Sequence, residues 1–365
     1  MADKENPFFS VIVLAYQVEP FIEECLNSIL LQTYQDIEIV IVNPVCTDRT
    51  ESICRKYMMQ DKRIRLIQME NKGQLLNRQK GFMAATGKYL LCIDGDDWWK
   101  INTLEEIYTA IKKMPSDLII FGYEMVSNGK VLKEQRHVFP DGAVYKEKEK
   151  RIVYEKLIQG KGINSICTKV LKKELLFRIT EDFSRYSSVR YGEDLLFSLY
   201  AADAADKILY LDKALYCYRK REDSTVRVFS PRELEDKRII VEHIDKMMKK
   251  WEMAESRYYE MLYRSVFDFY VKVVFRCSTS VLTTAAKKMF FTEVRKDSLY
   301  IKSQEYKKWN QSLGKESIFM WLFFKGDIFV LQCGKTYRAV RKIKNKLKYI
   351  KERLINDIQS KNSAQ

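Results

Sequence analysis

The segment Tyr89-Leu90-Leu91-Cys92-Ile93-Asp94-Gly95-Asp96-Asp97-Trp98-Trp99 runs an apolar strand pattern into three carboxylates and ends on two tryptophans. Carboxylates gathered at the end of a buried strand are poorly solvated and repel one another, and a cation relieves both costs. Asp94 and Asp96 flank Gly95, a residue type that lets backbone approach a ligand closely. Mg²⁺ or Mn²⁺ held by one or two carboxylates completes its shell with substrate phosphates, so the pattern points to a nucleotide diphosphate. Asp-Gly is also a common turn dipeptide, and an acidic turn is the alternative.

The surrounding elements must place these acids. Phe8 to Ala15 is a short apolar run rich in β-branched residues, as expected of a strand buried on both faces. Pro20 marks a helix start, and Phe21, Ile22, Cys25, Leu26, Ile29 and Leu30 follow at helical spacing. The alternation continues with a strand over 37–42, a helix over 48–59, a strand over 64–68, a helix over 75–85 and a strand over 88–93. Such alternation predicts βαβ units and a mostly parallel sheet, with ligands beyond the carboxyl ends of its strands, where Asp94, Asp96 and the 43–48 loop fall. Further strands are predicted over 118–123, 130–138, 208–211 and 214–218, with Asn128-Gly129 as a hairpin turn. Helices are predicted over 146–159 and 195–205. Beyond Pro231 the pattern is helical, dense in Lys, Glu, Met and aromatics. The expected division is a domain over 1–228, a helical domain over 229–334, and a basic amphipathic helix with its tail over 335–365.

The 365 residues carry a net charge of +15, and no apolar run reaches the roughly 20 residues needed to cross a bilayer. The polar start, Met1 to Pro7, lacks a basic leader followed by an apolar stretch, and the expected location is cytoplasmic. Eight cysteines without a C-x-x-C pair read as reduced, structural thiols.

The ordered set Ser10-Val11-Ile12-Val13 with Tyr16, Cys25-Leu26-Asn27-Ser28-Ile29, Asn77-Arg78-Gln79-Lys80-Gly81, Asp94-Gly95-Asp96-Asp97-Trp98, Gly192-Glu193-Asp194 and Tyr218-Arg219 resembles the family 2 glycosyltransferases. The similarity runs over roughly residues 8 to 226. It implies a GT-A fold, in which a Rossmann-like, mostly parallel sheet is flanked by helices, here followed by an α-helical carboxyl-terminal domain. It also implies inverting transfer of a sugar from a nucleotide-diphosphate sugar to a hydroxyl of a glycan or lipid-linked glycan. Under it, Asp194 matches the catalytic base, Asp96 the main ligand of Mn²⁺ or Mg²⁺, and Asp94 a group near ribose and metal. Ala15, Tyr16, Asn43, Asp48, Arg78 and Arg219 fall on the donor side, and Trp98, Trp99 and Glu193 on the acceptor side. Read from residue type alone, Glu193-Asp194 is also a helix amino-terminal pair, Arg78 a solvated helix arginine, and one tryptophan of the pair a core residue.

One departure bears on the donor. Where the family usually places an Asp that accepts the uracil N3–H, this chain has Pro44, which offers neither a side-chain acceptor nor an N–H. A UDP-sugar is favoured, with the base left open between uracil, read through Asn43, Thr47 or Asp48, and cytosine. The rivals are a non-catalytic binding or assembly protein and a nucleotidyl- or phosphotransferase.

Between Lys335 and Leu354 stand nine Lys or Arg against one acid, Glu352, a surplus of +8. Tyr337, Val340, Ile343, Leu347, Ile350 and Leu354 recur at helical spacing among them. With the aromatic-rich stretches 318–324 and 328–331, this suits an anionic leaflet on the inner face of the membrane. Packing against its own domain, or against a second copy in a homo-oligomer, is weighed equally, and nucleic acid is disfavoured.

Overall fold

The structure is a computed structural model that describes residues 6–160, 162–221, 229–306, 315–341 and 343. It opens with β1 (Phe9–Leu14), α1 (Ile22–Leu30), β2 (Ile37–Pro44), α2 (Thr50–Gln60), β3 (Ile64–Met69), α3 (Gln74–Ala84) and β4 (Tyr89–Asp94). All six residues of β1 and all eight of β2 are buried, which explains their mostly apolar character; the polar Ser10 and Glu38 hydrogen-bond each other. α1 turns Ile22, Cys25, Leu26 and Ile29 inward, the face its spacing predicts. α3 lies unusually close to the sheet: a Cβ on Gly81 would stand 2.4 Å from Ile12 Cγ2 and 3.0 Å from Val42 Cγ2. Only glycine permits that approach, and it brings the inward residues of α3 over the strand ends.

The chain continues through β5 (Trp98–Trp99), α4 (Thr103–Lys113), β6 (Leu118–Ser127), β7 (Lys130–Gln135), β8 (Val144–Lys146), α5 (Arg151–Ile158), β9 (Lys169–Lys172), α6 (Lys173–Arg178), α7 (Glu193–Ala204) and β10 (Lys207–Arg219). The sheet order is β3-β2-β1-β4-β9-β6-β10-β5, with β7 on β6 and β8 on β10. β1 to β4 are mutually parallel, and β6 and β10 share their direction because β9 runs antiparallel to both β4 and β6. Asn128 and Gly129 both take positive φ in the β6–β7 hairpin, as the dipeptide predicts. The short strands β5 and β9 carry too few residues for a period-2 signal, so the sequence does not reveal them. β10 is one strand where two are expected, continuous through register shifts between Tyr210 and Tyr216.

The chain divides into two compact units, Met1–Glu222 with Glu235–Met261, and Asp223–Leu234 with Leu262–Gln365. Where composition places one boundary near 228, the stretch 235–261 thus belongs with the sheet. It contains most of α8 (Glu233–Lys250) and the start of α9 (Ser256–Thr279). Trp251 stacks on Tyr154 at 3.7 Å and donates to Asp203, and His243 Nδ1 lies 2.7 Å from the Tyr200 hydroxyl. The second unit holds the rest of α9 with α10 (Thr284–Lys296), α11 (Ser298–Ser303), α12 (Lys315–Lys325) and a helical stretch at 327–341. Phe275, Phe319 and Tyr337 meet edge-on inside it, as do Phe291 and Phe323. Among the described residues no helix is long and apolar enough to cross a membrane.

Candidate active site

The parallel register places the site. Leu14 pairs with both Val42 and Asp94, so Ala15 and Gly95, each one residue beyond its strand, lie beside Asn43 near the end of β2. Gly95 faces protein there: a Cβ would stand 2.8 Å from the Leu14 carbonyl and 3.0 Å from Val18 Cγ2. The glycine therefore lets the acidic turn close onto β1, and the expected close approach to a ligand is corrected.

Arg78, on the inner face of α3, joins two of the acids. Its Nη2 donates to Asp94 Oδ1 at 2.8 Å and its Nη1 donates to Asp194 Oδ1, also at 2.8 Å. The arginine side chain is 2% exposed, whereas each carboxylate keeps 29% of its accessibility. Burial opposes the guanidinium charge, but Asp94 and Asp194 hold its pKa well above the ordinary value. Arg78 is neither the solvated helix arginine nor a group open to a phosphate; it is a buried clamp between the end of β4 and the start of α7. Its Nε has no hydrogen-bond partner.

Asp194 and Glu193 form the first turn of α7. Burial and then the Asp194 charge push the Glu193 carboxyl up to about 8, with Arg78 Nη1 at 3.9 Å opposing the shift. Burial also raises Asp194, which Arg78 and Lys169 restrain and Asp94 reinforces. At the head of α7, and with its side chain 29% exposed, Asp194 is placed to accept a proton from a bound group.

Asp96 faces a different cation. Arg221 Nη1 donates to Asp96 Oδ2 at 3.0 Å, and both side chains are about three-quarters buried. Burial and the Asp94 charge still raise the Asp96 carboxyl above its ordinary value. Arg219 is held from three sides: its N–H donates to Asp97 Oδ1, its Nε donates to the Asp96 carbonyl, and its guanidinium lies 4.4 Å over the Trp98 ring. Asp97 is buried, with the Tyr216 hydroxyl donating to Oδ2, and burial plus its two neighbouring acids push it well above the carboxylate range. It braces β10 against the acidic turn.

Several expected site residues stand elsewhere. Asp48 lies two residues before α2: Oδ1 accepts the Thr50 N–H and Oδ2 the Glu19 N–H, so both its oxygens hold backbone. Trp99 is 2% exposed and belongs to the core, which leaves Trp98 as the tryptophan beside the site. Asn43 is buried; its Nδ2 donates to the Ala15 carbonyl at 2.6 Å, while its Oδ1 has no hydrogen-bond partner. Tyr16 is 46% exposed at the rim.

Tyr216 and Lys169 escape sequence reasoning. Tyr216 reads as one aromatic in an apolar strand, yet its hydroxyl reaches both Asp97 and the Asp94 N–H. Lys169 lies fully inside, its Nζ donating to the carbonyls of Ile163 and Ser165, and burial draws it down to about 8. An internal lysine in a four-residue strand carries no sequence signal beyond its charge. The cysteines are free thiols; Cys92 and Cys167 approach within 3.8 Å beside Arg78.

Among the described residues no group of three or more His, Cys, Asp or Glu is arranged to hold a metal. A cation at this site would rest on Asp94 and Asp96 and on its ligand's own oxygens, the donor set typical of Mg²⁺. The Asp96 carboxyl, raised by burial and by the Asp94 charge, fits that group, since a dication would offset the desolvation and the repulsion between the two acids.

Residues 10–179 match the family model described as Glycosyl transferase family 2. The chain is 30% identical over 226 residues to the glycosyltransferase GlyA of Streptococcus pneumoniae, covering 60% of this chain and 32% of that protein. It is 32% identical over 225 residues to the uncharacterized glycosyltransferase EpsJ of Bacillus subtilis, covering 61% and 64% respectively. The match thus spans about a third of one relative and under two thirds of the other. Among solved structures, S. aureus TarS residues 1–349 superpose with a TM-score of 0.59 at 21% identity, over 92% of this chain and 91% of that one. The complex of the same TarS segment with UDP-GlcNAc gives 0.53 at 22% identity, over 81% and 90%. These structures share the fold, a mixed α/β domain on a largely parallel sheet followed by a helical region.

Proposed function

We propose, from the match of residues 10–179 to the family 2 glycosyltransferases, that the protein transfers a sugar, with inversion, from a nucleotide-diphosphate sugar to a hydroxyl of a glycan or lipid-linked glycan. The observation that carries this reading is the Arg78 bridge, which ties the acidic turn after β4 to the acid at the head of α7.

In the proposed step the acceptor oxygen bonds to the anomeric carbon as the bond from that carbon to the diphosphate oxygen breaks. The acceptor proton passes to the Asp194 carboxylate, and the bonding electrons leave with the nucleotide diphosphate. Arg78 acts through Asp194 and Asp94 by fixing their separation, and is a positioning residue. Asp94 and Asp96 would hold a divalent cation, which when bound supplies charge to neutralise the diphosphate. Arg221, now on Asp96, is a cation that diphosphate oxygens would attract once the carboxylate is satisfied. Trp98 and Glu193 lie on the acceptor side.

UDP is the favoured nucleotide, supported by TarS having been crystallised with UDP-GlcNAc. In this chain the acceptor for a base N–H is Asn43 Oδ1, the buried oxygen left without a partner, since Asp48 already accepts two backbone N–H groups and Pro44 has no side-chain acceptor. The test is Asp194→Asn with a panel of nucleotide sugars: transfer should fall by about 10² to 10⁴ while donor affinity stays within a factor of a few. Wild-type turnover in the purified variant moves the base elsewhere, and no transfer or donor hydrolysis by the wild type with any nucleotide sugar removes the enzymatic reading.

A further inference from the structure

We propose that the second unit carries a docking surface for an anionic lipid bilayer, formed by the outer face of α12 and the start of the helical stretch at 327–341. On α12, Ile318, Trp321 and Phe324 recur every three residues and are 56%, 52% and 40% exposed, while Phe319, Met320 and Phe323 on the other side are buried. After Gly326, which turns at φ 131°, Ile328 and Phe329 continue the exposed apolar set. Five large apolar side chains left bare within twelve residues form a patch, not the scattered exposure that every surface shows.

Charge selects the occupant. Lys325 is exposed and its Nζ lies 5.6 Å over the Trp321 ring, while Lys335 and Arg341 are exposed further along. The only acid in 318–341 is Asp327, and it is paired with Arg295. The sequence from 335 to 354, Lys335 and Arg341 included, carries the +8 surplus. A second copy of the chain would bring like charges together. A nucleic acid would answer the charge but offer no hydrocarbon for Ile318, Ile328 or Phe329. A bilayer with anionic headgroups answers both, and Trp beside Lys is the pairing suited to its interface. The alternative in which the basic helix packs its stripe inward holds only for Tyr337, which meets Phe275 and Phe319; Val340 and Ile343 are exposed. The stripe positions 347, 350 and 354 lie outside the described residues.

The surface does not depend on the sugar-transfer reading, and the experiment separates them. The full chain is floated with phosphatidylcholine vesicles and with vesicles containing phosphatidylglycerol. Two variants accompany it, Trp321→Ser with Phe329→Ser, and Lys325→Gln with Lys335→Gln and Arg341→Gln. The expected result is binding to phosphatidylglycerol vesicles alone, weakened at least tenfold by high salt. Each variant should lose about tenfold in vesicle affinity with nucleotide binding unchanged, since none of these residues belongs to the donor site. The proposal is overturned if phosphatidylglycerol vesicles bind no protein, or if both variants float like the wild type. It is equally overturned if the apolar variant instead converts an oligomer into monomers, or if RNA binds as tightly as the vesicles with no loss in the apolar variant.

Discussion

Replacing Arg78 by Met keeps most of the side-chain volume and removes the charge between Asp94 and Asp194. The guanidinium makes 2.8 Å contacts to each carboxylate and is 2% exposed, so the variant leaves two acids facing each other across an apolar side chain. Removing one partner of a buried pair costs about 3 to 5 kcal/mol. Both acids keep 29% exposure and can recover some hydration, so the lower end, about 3 kcal/mol, is expected. At roughly 2 to 4 °C per kcal/mol for a unit of this size, the melting temperature should fall by about 6 to 12 °C at pH 8. The sign of the pH dependence follows from linkage. Asp194 already sits above its ordinary value of 3.8, and losing Arg78 raises it further, so the folded variant takes up a proton that the unfolded chain does not. The deficit against wild type should therefore be full at pH 8 and shrink as pH falls toward 4. Arg78→Lys, which keeps the charge but lacks the fork to span both acids, should lie between. Thermal melts of the three proteins at pH 5 and pH 8 decide the matter. A variant melting within about 2 °C of wild type at pH 8, or an equal deficit at both pH values, refutes the clamp.

Glu193, pushed up to about 8 from 4.5, holds a proton in the folded state that the unfolded chain has released, so its contribution is full below pH 4.5 and lost as pH rises through 8. Wild-type stability should decline over that window by up to about 1.4 kcal/mol per pH unit from this group, and Glu193→Gln should flatten the decline; an unchanged slope in the variant removes the assignment. Asp96→Asn should abolish the gain in nucleotide-diphosphate affinity produced by Mn²⁺, read by calorimetry, and equal affinity in chelator and in metal for the wild type would sink the metal proposal. Pro44→Asp should favour uridine over cytidine nucleotides, and an identical preference in both proteins would mean that the 43–48 loop does not read the base.

The alternating strands and helices of the first 94 residues, the carboxyl-end position of the acids and the helical character beyond 231 can be read from the residues alone, because these are local signals. Buried strands need unbroken apolar runs, helices repeat every three to four residues, and loops take Gly, Asn and Pro, whatever the rest of the chain does. The resemblance pointed to Asp94, Asp96 and Asp194 but not to how they are held. Arg78 meets Asp194 across 116 positions and Tyr216 meets Asp97 across 119, pairings that exist only because the fold brings the end of β4 to the head of α7 and lays β10 antiparallel along β5. Tertiary structure likewise consigned Trp99 to the core and Asp48 to the loop before α2. It also drew 235–261 back onto the sheet unit, since composition marks residues as apolar or charged but cannot say which surface they cover. Burial likewise raises Asp96, Asp97 and Asp194, whereas at Asp48 the Thr50 hydroxyl and nearby backbone N–H groups outweigh it and lower the same acid type.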